Sequence, residues 1–239
     1  KFYLSVQERA KGIDNAEGKQ KIIIELYEQF FKNALPKQVA KLGIVYTPIE
    51  VVDFILNSVE TVLNEKFHRS INDDGVHVLD RLLRSSLISP EKLLYKYTNE
   101  LHANEIVLLA YYIAAINIEE TFHDLMQSTE YTPFEGIVLT DTFALSESIQ
   151  DDGSGSTVSP SDMMFSANTA RATKQLEAPI TVIIGNPPYS VGQKSGNDNN
   201  QNVSYPHLDK SLSVTYVEKS KATLTRNAYD TYIKAFRWA

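Results

Sequence analysis

The sequence predicts an α/β fold, a doubly wound and mostly parallel sheet preceded by a helical region, and three observations predict it. Short β-rich runs recur at 76–79, 101–106, 137–140 and 180–184. Stretches with apolar residues at helical spacing lie between them. Upstream of the first run the patterns are helical. Strands that alternate with helices pack as a parallel sheet, because a crossover helix returns the chain to the start of a parallel neighbour.

Residues 19–35 carry Ile22, Ile23, Leu26, Tyr27, Phe30 and Phe31 at helical spacing and run up to Pro36, which assigns residues 1–40 to a helical region. The following helix has a clear start. Thr47 suits the N-cap, Pro48 the first helical position, and Glu50 completes a T-x-x-E capping box. Val52, Ile55, Leu56, Val59, Val62 and Leu63 then give it a buried stripe. The first β-rich run ends in Asp80 and a helical stretch follows. Ser89-Pro90-Glu91 starts another helix through Leu93 and Leu94. A second strand over 101–106 leads into an apolar helix over 108–118, with the third and fourth strands at 137–140 and 180–184. Residues 146–162, which include Asp151-Asp152-Gly153-Ser154-Gly155-Ser156, and residues 192–204 are polar and read as loops. No internal repeat is present.

With 239 residues, 43% hydrophobic and 22% charged, the chain has the balance of a globular protein and suffices for one large α/β domain. No apolar run approaches the roughly 20 residues of a membrane span. The start, Lys1-Phe2-Tyr3-Leu4, leads into no signal-peptide stretch, so a cytoplasmic protein is expected. The absence of cysteine excludes disulfides and thiolate zinc sites. A net charge of -7 argues against a nucleic-acid surface spread over the whole chain. The charge is uneven, however. Residues 203–239 hold six basic side chains (Lys210, Lys219, Lys221, Arg226, Lys234, Arg237) against three acidic ones (Asp209, Glu218, Asp230), an excess of three positive charges. That segment reads as a solvated helix face or as a phosphate-facing edge.

The most informative segment is Ile183-Ile184-Gly185-Asn186-Pro187-Pro188-Tyr189. Ligands of open α/β sheets bind beyond the carboxyl ends of the strands, where residues 186–189 are expected. An exocyclic amine conjugated to a base is a poor nucleophile. A site that alkylates it must accept hydrogen bonds from the amine and favour the transition-state geometry. Asn186 offers a side-chain carbonyl and Pro187 a conformationally restricted backbone carbonyl, and Pro188 belongs to the same candidate catalytic tetrapeptide. Tyr189 offers an aromatic face for a base flipped out of a duplex. No metal is required.

The tetrapeptide resembles motif IV of amino-methyltransferases, in which Asn or Asp precedes Pro-Pro-Tyr or Pro-Pro-Phe. Leu42-Gly43-Ile44-Val45-Tyr46-Thr47-Pro48 is similar to the motif X segment of restriction-modification adenine methylases. The resemblance implies a Rossmann-like methyltransferase sheet over 41–239 that uses S-adenosylmethionine to methylate N6 of adenine in duplex DNA. It places Tyr46, Thr47 and Pro48 beside the methionine end of that cofactor, which agrees with the attraction of a capped helix N-terminus for a carboxylate. Asp80 falls at the first strand's end. Glu105 matches the acidic residue that ends the second strand and holds the ribose hydroxyls, with Glu100 as the alternative. Asp141 matches the acidic residue that contacts the cofactor's adenine, with Phe143 as its packing neighbour.

The chain as a whole is similar to the methylase part of single-polypeptide restriction-modification enzymes, which join a nuclease, a helicase-like motor, a helical coupler and an adenine methylase. The shared stretches are Ile24-Glu25-Leu26-Tyr27-Glu28-Gln29-Phe30-Phe31, Glu100-Leu101-His102-Ala103-Asn104-Glu105 and Tyr229-Asp230-Thr231-Tyr232-Ile233-Lys234-Ala235-Phe236-Arg237-Trp238. This similarity makes residues 1–40 coupler-like. It implies partners in double-stranded DNA and in the other domains of a larger polypeptide, with the target-recognition domain outside this chain.

In one place the sequence departs from that family. A glycine-rich turn should follow the first strand, since close approach of backbone to cofactor needs glycine. Asp80 is followed instead by Arg81-Leu82-Leu83-Arg84, and no glycine occurs between Gly75 and Gly136. Either a cofactor loop is missing from the sequence between Asp80 and Arg81, which the abrupt junction between intact elements favours, or the protein has lost it. Two other functions therefore stay open. One is an amino-methyltransferase acting on protein glutamine or an RNA base. The other is a non-catalytic module that kept the fold without the loop.

Overall fold

The computed structural model describes residues 49–79, 88–127, 130–147, 166–187, 203–221 and 226–239. The chain divides into two compact units, Lys1–Thr47 and Pro48–Ala239, and the described residues all lie in the second. The expected boundary at residue 40, the helix over 19–35 and the start of the next helix at Thr47 lie outside them.

Four strands, β1 (His77–Leu79), β2 (Leu101–Glu105), β3 (Ile137–Leu139) and β4 (Ile180–Ile183), form one parallel sheet in the order β3-β2-β1-β4. From β1 the chain steps outward to β2 and β3, then crosses back to place β4 on the other side of β1. The direction of travel thus reverses between β1 and β4. Register is explicit: Leu79 lies level with His102 on β2 and Ile183 on β4, while Glu105 lies level with Leu139.

The helices are α1 (Ile49–Val62), α2 (Pro90–Asn99), α3 (Leu108–Met126), α4 (Thr142–Glu147), α5 (Ser166–Glu177), α6 (Pro206–Leu212) and α7 (Thr231–Trp238). A wider π-type turn, Leu63–Phe67, continues α1 and stops at His68, whose left-handed φ of 53° ends the helix. Val52, Leu56, Val59 and Leu63 face the core. Val62, expected in that stripe, is 50% exposed, because it sits about 100° round the helix from Leu63. Proline opens α2 and α6, where a missing N–H costs no intrahelical bond.

The main buried cluster lies on one face of the sheet, while Val138, on the alternate face of β3, is buried as well. Leu101 and Ala103 of β2 and Ile137 of β3 meet Leu93 and Tyr97 of α2 and Phe122 of α3. The Tyr97 ring stacks on Phe122 at 3.7 Å between centroids, and its hydroxyl donates to the Thr132 carbonyl at 3.0 Å. Gly136 opens β3 because nothing larger fits. A Cβ there would stand 2.2 Å from the Leu101 carbonyl oxygen and 2.7 Å from the Phe134 ring. At the amino edge, Lys96 and Glu100 form a fully buried ion pair at 2.6 Å. Lys96 Nζ also donates to the carbonyls of Asp73 (2.5 Å) and Val76 (3.2 Å), and Glu100 accepts the Gly75 amide (2.5 Å). The pair ties the turn before β1 to the end of α2.

On its outer side, β3 is closed by a side chain. Asn168 of α5 accepts from the Leu139 amide at 2.8 Å and donates to the Leu139 carbonyl at 3.1 Å, which satisfies groups a strand would otherwise take. Residues 146 and 147, expected at the start of a loop, belong to α4. Their inclusion is explained by Glu147, whose carboxylate accepts the His207 and Leu208 amides at 2.9 Å each and so anchors α6.

Candidate active site

Because all four strands are parallel, the residues that follow β2, β3 and β4 emerge at one carboxyl edge. Glu105 is three residues beyond the level shared by His102, Leu79 and Ile183, and Asn186 is likewise three beyond Ile183. Asp141 is two residues past Leu139, on the far side of Glu105. With strands about 4.8 Å apart, Glu105 on β2 and Asn186 after β4 flank β1 at a lateral separation of roughly 10 Å. The structure thus gathers Glu105, Asp141 and Asn186 at one end of the sheet, beside the point where the chain order reverses. Tyr46, Thr47, Pro48, Asp80, Pro188 and Tyr189 lie outside the described residues, as does the Asp80–Arg81 junction.

Glu105 is half-buried. Its Oε1 accepts the Val107 amide at 3.0 Å, and its backbone carbonyl accepts the Thr140 amide at 2.9 Å, so the turn into α3 fixes the carboxylate. Glu100, the alternative to Glu105, is excluded from this edge. It lies at the amino end of β2 with 1% exposure, bound to Lys96. Asn186 and Pro187 come just after β4, outside any helix or strand, and Asn186 is exposed.

Asp141 caps α4. Its Oδ1 accepts the amides of Phe143 (3.0 Å) and Ala144 (3.3 Å), and its Oδ2 accepts the Tyr205 hydroxyl at 2.7 Å. Tyr205 is buried, just before α6. Burial first, and then the bond to Asp141, push its phenol well above the ordinary range, so it stays a donor at physiological pH. Phe143 meets Tyr205 edge-on at 5.3 Å between centroids and Trp238 at 6.1 Å. The Trp238 indole donates to Ser146 Oγ at 3.0 Å.

Tyr205 escaped the sequence reading, because its partner lies 64 residues away and no spacing rule links them. The basic excess of 203–239 also reads differently in three dimensions. Lys234 is 2% exposed, paired with Asp209 at 2.7 Å, donating to the Val203 carbonyl at 2.7 Å, and 5.0 Å from the Tyr205 ring centroid. It is an internal strut, and among the side chains described the exposed cations of the segment are Lys210, Lys219 and Lys221.

In its described turns, the chemistry of this edge is that of acceptors. The described turns 105–107, 140–142 and 184–187 contain two carboxylates and neither Lys nor Arg. Such an edge favours a ligand that presents hydroxyl and amino donors, or positive charge, and disfavours a phosphate.

No protein-family model matches the chain, and no curated protein matches it. Among solved structures, a nuclease-deletion mutant of the Type ISP restriction-modification enzyme LlaGI, in complex with a DNA substrate mimic, is 47% identical over 99% of this chain and 19% of its own, with a TM-score of 0.83. The ATP-dependent Type ISP restriction-modification enzyme LlaBIII bound to DNA is 46% identical over 99% of this chain and 17% of its own (TM-score 0.80). A DrdV–DNA complex seen by cryoEM is 36% identical over 99% of this chain and 23% of its own (TM-score 0.85). The chain therefore spans about a fifth of the length of these proteins. The likeness supports a relationship to restriction-modification enzymes.

Proposed function

We propose that this chain is the methyl-transferring core of a restriction-modification enzyme, which methylates N6 of an adenine flipped out of duplex DNA with S-adenosylmethionine. One observation carries the reading. Asn186 and Pro187, which open the Asn-Pro-Pro-Tyr sequence, come just after β4, at the carboxyl edge where Glu105 and Asp141 also emerge and where the strand order reverses. The order β3-β2-β1-β4 is that of the first part of a doubly wound sheet, whose ligands bind at this reversal.

The residues present fit the cofactor. Two ribose hydroxyls and an adenine amine are donors, and the edge supplies carboxylate acceptors. A sulfonium is cationic, and the described turns hold no competing Lys or Arg. Glu105 is assigned the ribose hydroxyls and Asp141, beside Phe143, the adenine. The resemblance assigns Asp80 to the cofactor as well, and Tyr46, Thr47 and Pro48 to its methionine end. When bound, S-adenosylmethionine supplies an electrophilic methyl group. Asn186 Oδ1 and the Pro187 carbonyl accept hydrogen bonds from the target amine. Those bonds strengthen as its nitrogen gains positive charge, so they favour the transition state over the ground state. Tyr189 stacks on the extruded base.

The reading implies duplex DNA as partner, together with the nuclease, motor and target-recognition domains of a longer polypeptide, and a cytoplasmic location. Among the described residues no helix is long and apolar enough to cross a membrane. The DNA-bound state of the similar structures favours DNA over RNA or a glutamine peptide as substrate. Asn186→Ala tests the role of the tetrapeptide. It should lower the single-turnover methyl-transfer rate about 100-fold or more, as loss of one transition-state hydrogen-bonding group does. Its dissociation constant for the cofactor, measured by calorimetry, should stay within about twofold of the parent. Parallel losses of rate and cofactor affinity would contradict the role.

A further inference from the structure

We infer that Tyr205 is a positioning residue that fixes the Asp141 carboxylate and so sets the selectivity of the edge for an amino-purine over an oxo-purine. The inference rests on the cofactor reading above and names a determinant that reading does not include. A helix cap alone grips a single carboxylate oxygen and leaves the group free to turn about its last bond. Here Oδ1 is gripped by the Phe143 and Ala144 amides and Oδ2 by the Tyr205 hydroxyl, so the plane of the carboxylate is fixed from two sides.

An ionised carboxylate offers about four acceptor positions. Three are filled by those bonds, which leaves one on Oδ2, the oxygen that Tyr205 holds. One remaining acceptor suits one N–H of an exocyclic amine and repels the carbonyl oxygen of an oxo-purine. Tyr205 can serve as an anchor because it is itself fixed. It is 7% exposed, with the Phe143 ring edge-on at 5.3 Å and the Lys234 ammonium 5.0 Å from its centroid. Asp209 holds that ammonium at 2.7 Å and also accepts the Tyr205 amide at 3.1 Å. The segment before α6 thereby sets the geometry of a carboxylate that ends the turn after β3.

The test compares dissociation constants of S-adenosylhomocysteine and its 6-oxo counterpart, S-inosylhomocysteine, measured by calorimetry on the parent protein and on Tyr205→Phe. The phenylalanine keeps the ring packing, and an unchanged thermal midpoint and near-ultraviolet circular dichroism would show that the fold is kept. The parent should prefer the amino ligand. Tyr205→Phe should bind it about threefold to tenfold more weakly, the effect of one net hydrogen bond, with the oxo ligand almost unaffected. Asp141→Asn should lose the preference altogether. A Tyr205→Phe protein that retains the parent's ratio, or loses affinity for both ligands equally, would overturn the inference while leaving the cofactor reading intact. A parent protein that binds neither ligand would overturn both.

Discussion

At Glu60, on the last turn of α1, burial and hydrogen bonding act in opposite directions. Burial, the larger single influence, raises the carboxyl, but bonds from the Ile71 amide and the Ser70 and Asn64 side chains together outweigh it and hold it below its ordinary value of 4.5. A lowered carboxyl stabilises the fold above the unfolded-state value, and that contribution is lost as pH falls through the folded one. Glu60→Gln should therefore flatten the acid limb of the stability–pH curve, followed by urea unfolding from about pH 6 to about pH 3, a window of roughly three units that spans the carboxylate range. An unchanged acid limb would show that Ile71, which is fully buried, is held by packing alone. The residues of the candidate site divide in the same local-against-distant way. Glu105, Asp141 and Asn186 were legible as candidates because each lies at or just past the end of a β-rich run, and chain direction alone sends them to one edge. Tyr205, Lys234 and Asn168 act through partners 64, 31 and 29 residues away. No periodicity encodes such contacts.

Among the elements, α2 carries the sharpest contrast between two kinds of ion pair. Lys92 and Asp74 meet at 3.2 Å with side chains 37% and 72% exposed, whereas Lys96 and Glu100 meet at 2.6 Å with 0% and 2%. Lys92→Ala should change unfolding free energy by less than about 1 kcal/mol. Lys96→Ala removes the buried cation that faces the Glu100 carboxylate and the donor to the buried Val76 carbonyl, and should cost about 3–5 kcal/mol. Denaturant titration of both variants measures the difference, and equal effects would mean that water reaches the Lys96 site. The strands were legible to within a residue or so, because β-branched runs bounded by polar residues have few other readings. Helix α5 was not. Ser166–Glu177 is mostly polar and buries only Ala172 and Gln175, so its apolar stripe is too thin to recognise. The basic segment 203–239 was legible in its exposed lysines but not in Lys234, for a related reason. Formal charge counts Lys234 with the exposed lysines, although Asp209 neutralises it inside the fold.

For the whole molecule, the parallel order β3-β2-β1-β4 turns four separate carboxyl ends into one edge, whose described turns carry two carboxylates and neither Lys nor Arg. A net charge of -7 is compatible with a DNA-modifying role if phosphate contacts are made by the remaining four-fifths or so of a polypeptide as long as the similar structures. The central claim is that this edge directs methyl transfer to the amine of adenine. Its most direct measurement is nucleoside mass spectrometry of duplex DNA incubated with the protein and S-adenosylmethionine carrying a deuterated methyl group, beside parallel incubations with RNA and a glutamine peptide. The account predicts label in N6-methyldeoxyadenosine alone, and its loss in Asn186→Ala. Label on cytosine, on RNA or on the peptide, or no transfer to any of the three, would contradict it.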